Sequence, residues 1–403
     1  MAFALATCGG TRGGDTRPDA GSPCWSEPLV AAAPPPSVST TTSPETWLSL
    51  GDAVLSAEEQ TAAVVLDVPP MTAAVVLRVS DPTGAPTCVQ LASLIDSRGV
   101  DWVAATDRGP YCVGCLQRVS IGIGHGLFVL PSNDQPVPFT TGGPFQIRAA
   151  AVECPNPGDS PRALPSRLRI EARFRSVMPA GQPGLLTLGL AFASTSPLAD
   201  PTRRREVVPE TLRLLNQMLA PGDLAVVASV RTAPLELSDP LALERGDNGP
   251  LAVIAQELQS SMGCTPKASD PTRQPAWVPL VFAGCLRLRD ADLQTEQQPD
   301  ALVPGIPSGL PPPGRADGIY VKGRSCRAGG DAIDWAPASL AKLIAHELGH
   351  YLGLYHSVEA DGTTDQLADT DADNIMSASP LATKTGFSAA QFRVMRRHPA
   401  VRF

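Results

Sequence analysis

The residues best suited to chemistry lie near the carboxyl end of the chain, where three of the five histidines and one glutamate fall within residues 346–356. His346 and His350 are four positions apart, so on a helix both imidazoles project from one face, as two ligands of one tetrahedral Zn2+ must. A straight helix cannot bring His356 to the same ion, because about 100° of rotation per residue places it on a different face from His346 and His350. Gly353 removes that obstacle, since a residue without a Cβ can end the helix in a left-handed conformation and turn the chain back.

Glu347 directly follows the first histidine. Three neutral imidazoles leave one position of Zn2+ open to water, whose pKa falls from about 15.7 toward about 7 in such a site. Glu347 is placed to accept the proton of this water and to deliver it to a leaving amine. The pattern therefore predicts metal-assisted hydrolysis with His346, His350 and His356 as ligands and Glu347 as the general base.

The run matches HExxHxxGxxH at every fixed position and thereby resembles the metzincin clan of zinc peptidases. The resemblance implies a zinc metalloendopeptidase acting on extracellular proteins or peptides. It also implies a Met-turn, which Asn374-Ile375-Met376-Ser377 matches in position and type, with Met376 as an apolar floor beneath the imidazoles or, alternatively, as an ordinary core methionine. Residues 365–370 look like the segment after the zinc motif in pappalysin-type enzymes, so we place the chain closest to that branch.

Two other functions stay open at this point. The chain could instead be a surface-attached binding or adhesion protein with a non-catalytic zinc site, although such a site has no chemical need of Glu347. In the second alternative, residues within the first 175 form an inhibitory pro-segment in which Cys154 blocks the zinc as a thiolate. A mature amino terminus near Arg205 would support the pro-segment.

The chain after His356 is rich in carboxylates. Ca2+ binds six to eight oxygen atoms, so closely spaced aspartates among Gly and Thr indicate either a calcium site or a solvated acidic loop. The candidate calcium ligands are Asp361, Asp365, Asp369, Asp371 and Asp373.

The hydrophobic pattern predicts an α+β protein with two domains. Short β-branched runs broken by Pro, Gly and Asp indicate an all-β, sandwich-like accessory domain over residues 24–178. Strands then alternate with helices over residues 179–403, which is similar to a metzincin catalytic domain with a twisted sheet, a zinc-site helix, a Met-turn and a carboxyl-terminal helix. The predicted strands are 88–95, 117–130, 145–152, 168–174, 185–192, 224–230, 278–288 and 318–322, and the predicted helices before the zinc motif are 207–219 and 251–262.

Three local patterns give sharper expectations. Thr61–Leu66 recurs as Thr72–Leu77 with Pro69-Pro70 between them, which predicts a hairpin. The strand at 318–322 is either an inner strand or the sheet edge to which an extended peptide could add. Ser388 and Gln391 have the spacing of a capping box, so a last helix should begin there.

Composition narrows the partners and the environment. The net charge of −8 argues against a nucleic-acid partner, because phosphate binding draws on a basic excess. The apolar runs are all shorter than the roughly 18 residues that a membrane helix needs. The 42 prolines and 35 glycines predict many turns and a β-rich protein.

The amino terminus and the cysteines indicate an exported chain. Residues 1–23 are predicted to be a signal remnant and a flexible tether, and Cys8 is either the lipidated cysteine of a bacterial lipoprotein or an ordinary residue of this tail. Eight cysteines remain besides Cys8, and an even number in an exported chain favours disulfides. Cys112 and Cys115 form a lone CxxC, for which a disulfide or structural role is favoured over a zinc or redox site. The expected location is extracellular or at the cell surface.

Overall fold

The structure, a computed structural model, describes residues 47–57, 59–83, 87–103, 117–134, 142–152, 165–176, 181–230, 235–244, 251, 253–255, 258, 277–290, 295–309, 316–327, 330–359, 362, 364–371, 373–378 and 386–403. Within these ranges the chain is an α+β protein in which strands predominate and helices are few. Across the same ranges, no helix is both long and apolar enough to cross a membrane.

The amino-terminal part is a sandwich of two four-stranded antiparallel sheets with the orders β1-β8-β3-β6 and β2-β7-β4-β5. Its strands are β1 (Leu48–Val54), β2 (Val64–Val68), β3 (Thr72–Ser80), β4 (Cys88–Ile95), β5 (Gly122–Ile123), β6 (His125–Leu130), β7 (Gly143–Val152) and β8 (Arg167–Ser176). Along β8, polar residues alternate with Leu168 and Ile170, which are buried against Leu91 and Ile147 of the facing sheet. This period of two is typical of a strand that has one face in the core of a sandwich.

The repeated segments Thr61–Leu66 and Thr72–Leu77 do not form the predicted hairpin. Strand β2 pairs with β7, whereas β3 pairs with β8 and β6, so the two segments lie in opposite sheets. Met71, at a φ of 61°, turns the chain between them. Leu66 and Leu77 meet in the core from opposite sides, and this burial between sheets favours the crossover over a flat hairpin.

The carboxyl-terminal part is built on a five-stranded sheet of order β10-β9-β12-β16-β15, parallel except for β15, beside a smaller β11-β13-β14 sheet. The strands are β9 (Gly184–Phe192), β10 (Leu224–Val230), β11 (Leu241–Glu244), β12 (Val278–Ala283), β13 (Leu286–Asp290), β14 (Thr295–Gln297), β15 (Ala301–Leu302) and β16 (Ile319–Lys322). Alternate residues of β12 join two different apolar clusters, so both faces of the sheet are covered. Every residue of β12 is accordingly buried.

Three described α-helices pack with this sheet: α1 (Pro201–Leu219), α2 (Pro337–Tyr351) and α3 (Ala389–Arg396). Helix α1 connects β9 to β10 and packs against α2. It begins six residues before the predicted start. The prediction missed these residues because the run 202–206 has no apolar periodicity. The start is marked instead by Asp200, whose side chain accepts a hydrogen bond from the N–H of Thr202, and by Pro201 in the first turn. In the predicted 251–262 helix, residues 251, 253–255 and 258 are helical and the others lie outside the described residues.

The predicted strand 278–288 is in fact two strands. The break between β12 and β13 falls at Gly284, where an added Cβ would lie 2.6 Å from Thr195 Oγ1 and 2.7 Å from Asp239 Oδ1. Strand β13 then joins the smaller sheet. Strand β16 is an inner strand, because β15 pairs with its free side through Ala301 opposite Val321.

The last helix begins as the sequence predicts. Ser388 and Gln391 form the capping box, and the rings of Phe387 and Phe392 pack at 5.5 Å. After α3, His398 is buried and hydrogen-bonded to the backbone carbonyl of Ser308 at 2.8 Å, and burial lowers its pKa to about 3. His398 is therefore a neutral structural residue.

Disulfides are present, as the cysteine count predicts. Cys285 and Cys326 are bonded, with their Cα atoms 5.1 Å apart, and they join the end of β12 to the segment after β16. Cys88 is also disulfide-bonded. The other cysteines that were expected to form disulfides, including the CxxC pair Cys112 and Cys115, lie outside the described residues.

Candidate metal centre

Three histidine rings converge on one point beside α2. His346 and His350 lie on the helix, and His356 lies on the loop that follows it. Nε2 of His350 is 3.1 Å from Nε2 of His346 and 3.1 Å from Nε2 of His356. A tetrahedral Zn2+ with bonds of about 2.0–2.1 Å holds its nitrogen ligands about 3.3–3.4 Å apart, so this spacing suits a single ion. Among the described residues, these three form a group that could hold a metal ion.

The hydrogen bonds made by Nδ1 of His346 and His350 determine which ring nitrogen carries the proton. His346 Nδ1 donates to Ile375 O at 2.7 Å, and His350 Nδ1 donates to Leu354 O at 2.8 Å. A carbonyl oxygen can only accept, so each neutral ring carries its proton on Nδ1 and keeps a lone pair on Nε2. Lone pairs directed at one point repel one another unless a cation lies between them. The donor set therefore fits a metal ion.

Gly353 ends the helix and sends the chain back toward the histidines. Its φ of +105° is open to glycine and strained for other residues. The N–H of Gly353 donates to His350 O and the N–H of Leu354 donates to Gly349 O, the two bonds of a Schellman motif. The same turn places Leu354 O against His350 Nδ1, so one feature both closes the helix and orients a ligand.

Glu347 lies on α2 one position after His346 and is 7% exposed. Successive helical residues are about 100° apart, so its carboxylate leaves the helix in a different direction from the His346–His350 pair. A carboxylate at this position lies next to the three-histidine group without belonging to it.

Met376 lies directly against helix α2. A Cβ added at Gly349 would lie 2.4 Å from Met376 Sδ, so the glycine between the two helical histidines leaves room for this sulfur. Ile375 O, one residue earlier, accepts the bond from His346, and Met376 O accepts a bond from the backbone of Ser357, beside His356. The methionine segment thus connects the helical ligands to the loop ligand.

The third histidine of the group is held by side chains rather than by the main chain. His356 Nδ1 lies 2.7 Å from Glu359 Oε2, and the other carboxylate oxygen accepts from Arg118 Nη2 at 2.7 Å. Arg118 belongs to the amino-terminal sandwich, where it lies between β4 and β5, and its guanidinium stacks over the ring of Tyr355 at 4.3 Å. Burial favours the neutral carboxyl, but the hydrogen bond from His356 and the Arg118 cation outweigh it and hold the pKa of Glu359 below its usual value.

The acidic residues after His356 that the structure describes do not come together at one point. Asp365 accepts hydrogen bonds within its own turn, Asp369 accepts from the first turn of α3, and Asp371 accepts from the N–H of Asp373. Asp361 lies outside the described residues. Among the described residues, no three carboxylates lie close enough together to share an ion. The structure thus gives no support to the calcium prediction, and we leave calcium out of the proposed function.

A buried carboxylate supports the end of α2. Asp317, just before β16, hydrogen-bonds the side chain of Tyr351 on the helix and the N–H of Gly318. Burial is the larger influence and raises the pKa of Asp317 to about 7. The Tyr351 ring also packs near His398, with centroids 5.6 Å apart. Two titratable groups, Asp317 and His398, therefore contact Tyr351 at the carboxyl end of α2.

The sequence did not identify Arg118, Glu359 as a partner of His356, or Asp317. Glu359 stood out only as one of several acidic residues, although a carboxylate three residues after a ligand on a turning loop is a usable signal. For Arg118 no local signal exists, because it lies 241 positions from its partner.

A cavity of about 600 Å3 lies beside the helix rather than at the histidines. It is bounded by α1, α2 and the segment before α3, through residues such as Met218, Lys342 and Phe387. None of the three histidines lines it.

Comparison with known proteins leaves the family of this chain open. No family model and no curated protein matches it. Among solved structures, a family two carbohydrate esterase from Cellvibrio japonicus aligns at 11% sequence identity with a TM-score of 0.14. The alignment covers 60% of this chain and 64% of that chain. A TM-score this low does not establish a shared fold, and nothing about this chain is drawn from it.

Proposed function

We propose that the chain is a zinc-dependent endopeptidase that hydrolyses peptide bonds in extracellular proteins or peptides. The observation that carries the proposal is the convergence of three imidazole Nε2 atoms, 3.1 Å apart in two pairs, beside the buried Glu347. His346, His350 and His356 would hold the ion, since the helical pair directs its Nδ1 protons outward and Glu359 faces the Nδ1 of His356. Zn2+ bound there supplies a Lewis acid and lowers the pKa of a coordinated water to about 7.

Glu347 performs the proton transfers in this proposal. Its carboxylate accepts the proton that the attacking water loses and donates it to the amine that leaves when the peptide bond breaks. The helix holds Glu347 next to His346, so the base keeps a fixed position relative to this candidate ligand. Met376 excludes water from beneath the rings and takes no part in the proton transfers.

The wider arrangement is compatible with a metzincin-like catalytic domain over residues 179–403. The placement closest to the pappalysin branch rests on the sequence of residues 365–370. A mainly parallel sheet carries α1 and α2, Gly353 ends α2, Met376 packs under it and α3 follows. The sandwich is then an accessory domain. The Cys285–Cys326 disulfide supports an extracellular or cell-surface location.

The pro-segment alternative requires a cut near Arg205, and such a cut is hard to reconcile with this fold. Arg205 lies inside α1, and a cut there would remove β9. Strand β9 pairs with both β10 and β12 in the middle of the sheet. A mature chain starting near Arg205 would therefore lose a central strand.

The test is to measure zinc content together with cleavage of a peptide library, with and without a chelator. We expect about one zinc per chain and cleavage that stops when the chelator removes it. Glu347→Gln should retain zinc but lose about 10²- to 10⁴-fold in rate, because the amide cannot accept a proton. Unchanged cleavage in that variant would refute the role of Glu347. A protein that binds zinc and cleaves no peptide would favour the non-catalytic binding protein instead.

A further inference from the structure

The amino-terminal sandwich reaches the candidate metal centre through a chain of three charged or polar side chains. Arg118 Nη2 donates to Glu359 Oε1 at 2.7 Å, and Glu359 Oε2 lies 2.7 Å from His356 Nδ1. The side chains of Arg118 and Glu359 are only 6% and 19% exposed, so water screens this ion pair weakly. The third candidate ligand is thus connected to a residue of the other half of the molecule.

This connection matters more for His356 than it would for the other two histidines. The rings of His346 and His350 donate to main-chain carbonyls that the Met376 segment and the helix end already fix. His356 lies on a loop, and its partner is a carboxylate side chain with rotatable bonds of its own. Without a second anchor, Glu359 could turn away and leave the ring free to rotate. Arg118 supplies that anchor and also covers Tyr355, the residue before the ligand.

We propose that Arg118 is a positioning residue for the metal centre, so that the sandwich is a permanent part of the metal-binding unit. By holding Glu359, Arg118 fixes the orientation of the His356 ring and favours the proton on Nδ1, which leaves Nε2 for the metal. This inference rests on the proposed metal binding, and it extends it by making the third ligand depend on the sandwich.

Other contacts keep the sandwich in place when Arg118 is changed. Arg397 Nη1 donates to Pro131 O at 3.0 Å, and Arg175 Nη2 donates to Val401 O at 2.8 Å. Arg393 pairs with Asp134 at 2.6 Å across the same boundary, far along the chain from the histidine loop. The Arg393–Asp134 pair therefore provides a matched control: an ion pair between the same two parts that touches no candidate ligand.

The experiment compares Arg118→Met, Arg118→Lys, Glu359→Ala and the control Arg393→Met in the full chain. Zn2+ affinity is measured by competition with a chelator, and the absorption spectrum of the Co2+-loaded protein reports the geometry of the ligands. We expect Glu359→Ala to weaken Zn2+ binding by about 10- to 100-fold and Arg118→Met by about tenfold, both with altered Co2+ spectra. Arg118→Lys should recover part of the affinity because it restores the positive charge. Arg393→Met should bind like the wild type.

Each outcome bears on one of the two claims. If the wild type binds no Zn2+, the proposed function fails and this inference fails with it. If the wild type binds Zn2+ and Arg118→Met binds equally tightly with an unchanged Co2+ spectrum, only this inference is overturned. Equal losses in Arg118→Met and Arg393→Met would also overturn it, since the effect would then come from a loosened boundary. Methionine keeps the length of the arginine stem, and Arg118→Lys decides the question if the methionine variant does not fold.

Discussion

The two halves of the candidate metal centre are held in different ways. The helix half, His346 and His350, is oriented by main-chain carbonyls that the fold of α2 and its neighbours sets. The loop half, His356, is oriented by Glu359, which Arg118 holds from another part of the molecule. The first half is therefore built by local backbone geometry and the second by a contact between distant side chains.

Because of this difference, substitutions in the two halves should affect the stability of the fold and the binding of a metal to different degrees. A change in the helix half also disturbs packing, since α2 is part of the main apolar core. A change in the loop half should act mainly on the metal, because His356 is only partly buried and its partners are side chains. Substitutions in the two halves should thus differ in what they do to the metal-free protein.

Removing one ligand from each half should have the largest effect. His350→Ala and His356→Ala should each weaken Zn2+ binding by more than the roughly 10- to 100-fold typical of an outer partner. His350→Ala should also destabilise the metal-free protein, by about 1–3 kcal/mol, because Leu354 O then loses its donor in a buried setting. His356→Ala should destabilise it less, because Glu359 keeps its pair with Arg118. Urea unfolding in the presence of a chelator measures this. Equal destabilisation by both variants would contradict the distinction.

Gly349→Ala should give a smaller effect, confined to the helix half. Alanine normally stabilises a helix relative to glycine by about 0.5–1 kcal/mol, but a Cβ here would lie 2.4 Å from Met376 Sδ. We expect a net loss of about 1–3 kcal/mol from overpacking. The double variant Gly349→Ala, Met376→Ala should be less destabilised than the sum of its single changes, because the clash is gone. Additive losses in that cycle would show that the sulfur is not what excludes the Cβ.

The sequence predicted most of what depends on short-range periodicity. The spacing of His346 and His350 and the position of Gly353 follow from helix geometry, and the capping box at Ser388 marks the last helix. The strands of the sandwich follow from short β-branched runs that end at Pro, Gly or Asp. These features depend on neighbours a few positions apart, which a sequence displays directly.

What the sequence did not predict depends on partners far along the chain. The pairing of the two repeated segments was wrong, because each strand pattern is compatible with either sheet and only the shared core decides. The five acidic residues suggested an ion site, but those in the described residues serve separate turns and a cap. Arg118 was missed since nothing near it in the sequence relates it to Glu359.

Per pH unit, the pH dependence of stability gives the smallest of these effects, and it again concerns the helix half. Asp317 is hydrogen-bonded to Tyr351 at the end of α2, and its pKa of about 7 lies above the ordinary 3.8. Its contribution to stability is therefore complete below about pH 4 and is lost as pH rises through 7. His398, with a pKa of about 3 against an ordinary 6.5, acts in the opposite direction and loses its contribution as pH falls.

Between about pH 4 and 6.5, Asp317 and His398 make opposite contributions to the pH dependence of the free energy of unfolding. Removing the titration of one group should therefore reveal the pH dependence of the other. Asp317→Asn keeps the side chain's shape without its titration, and the metal-free variant should become more stable relative to the wild type as pH rises, by at most about 1.4 kcal/mol per pH unit. Urea unfolding at several pH values with a chelator present measures this difference. Asp317→Asn should have the same effect on the pH dependence in a His356→Ala background, because Asp317 supports the helix and not the loop. A different effect of Asp317→Asn in that background would mean that the two halves are coupled through α2 and not held separately.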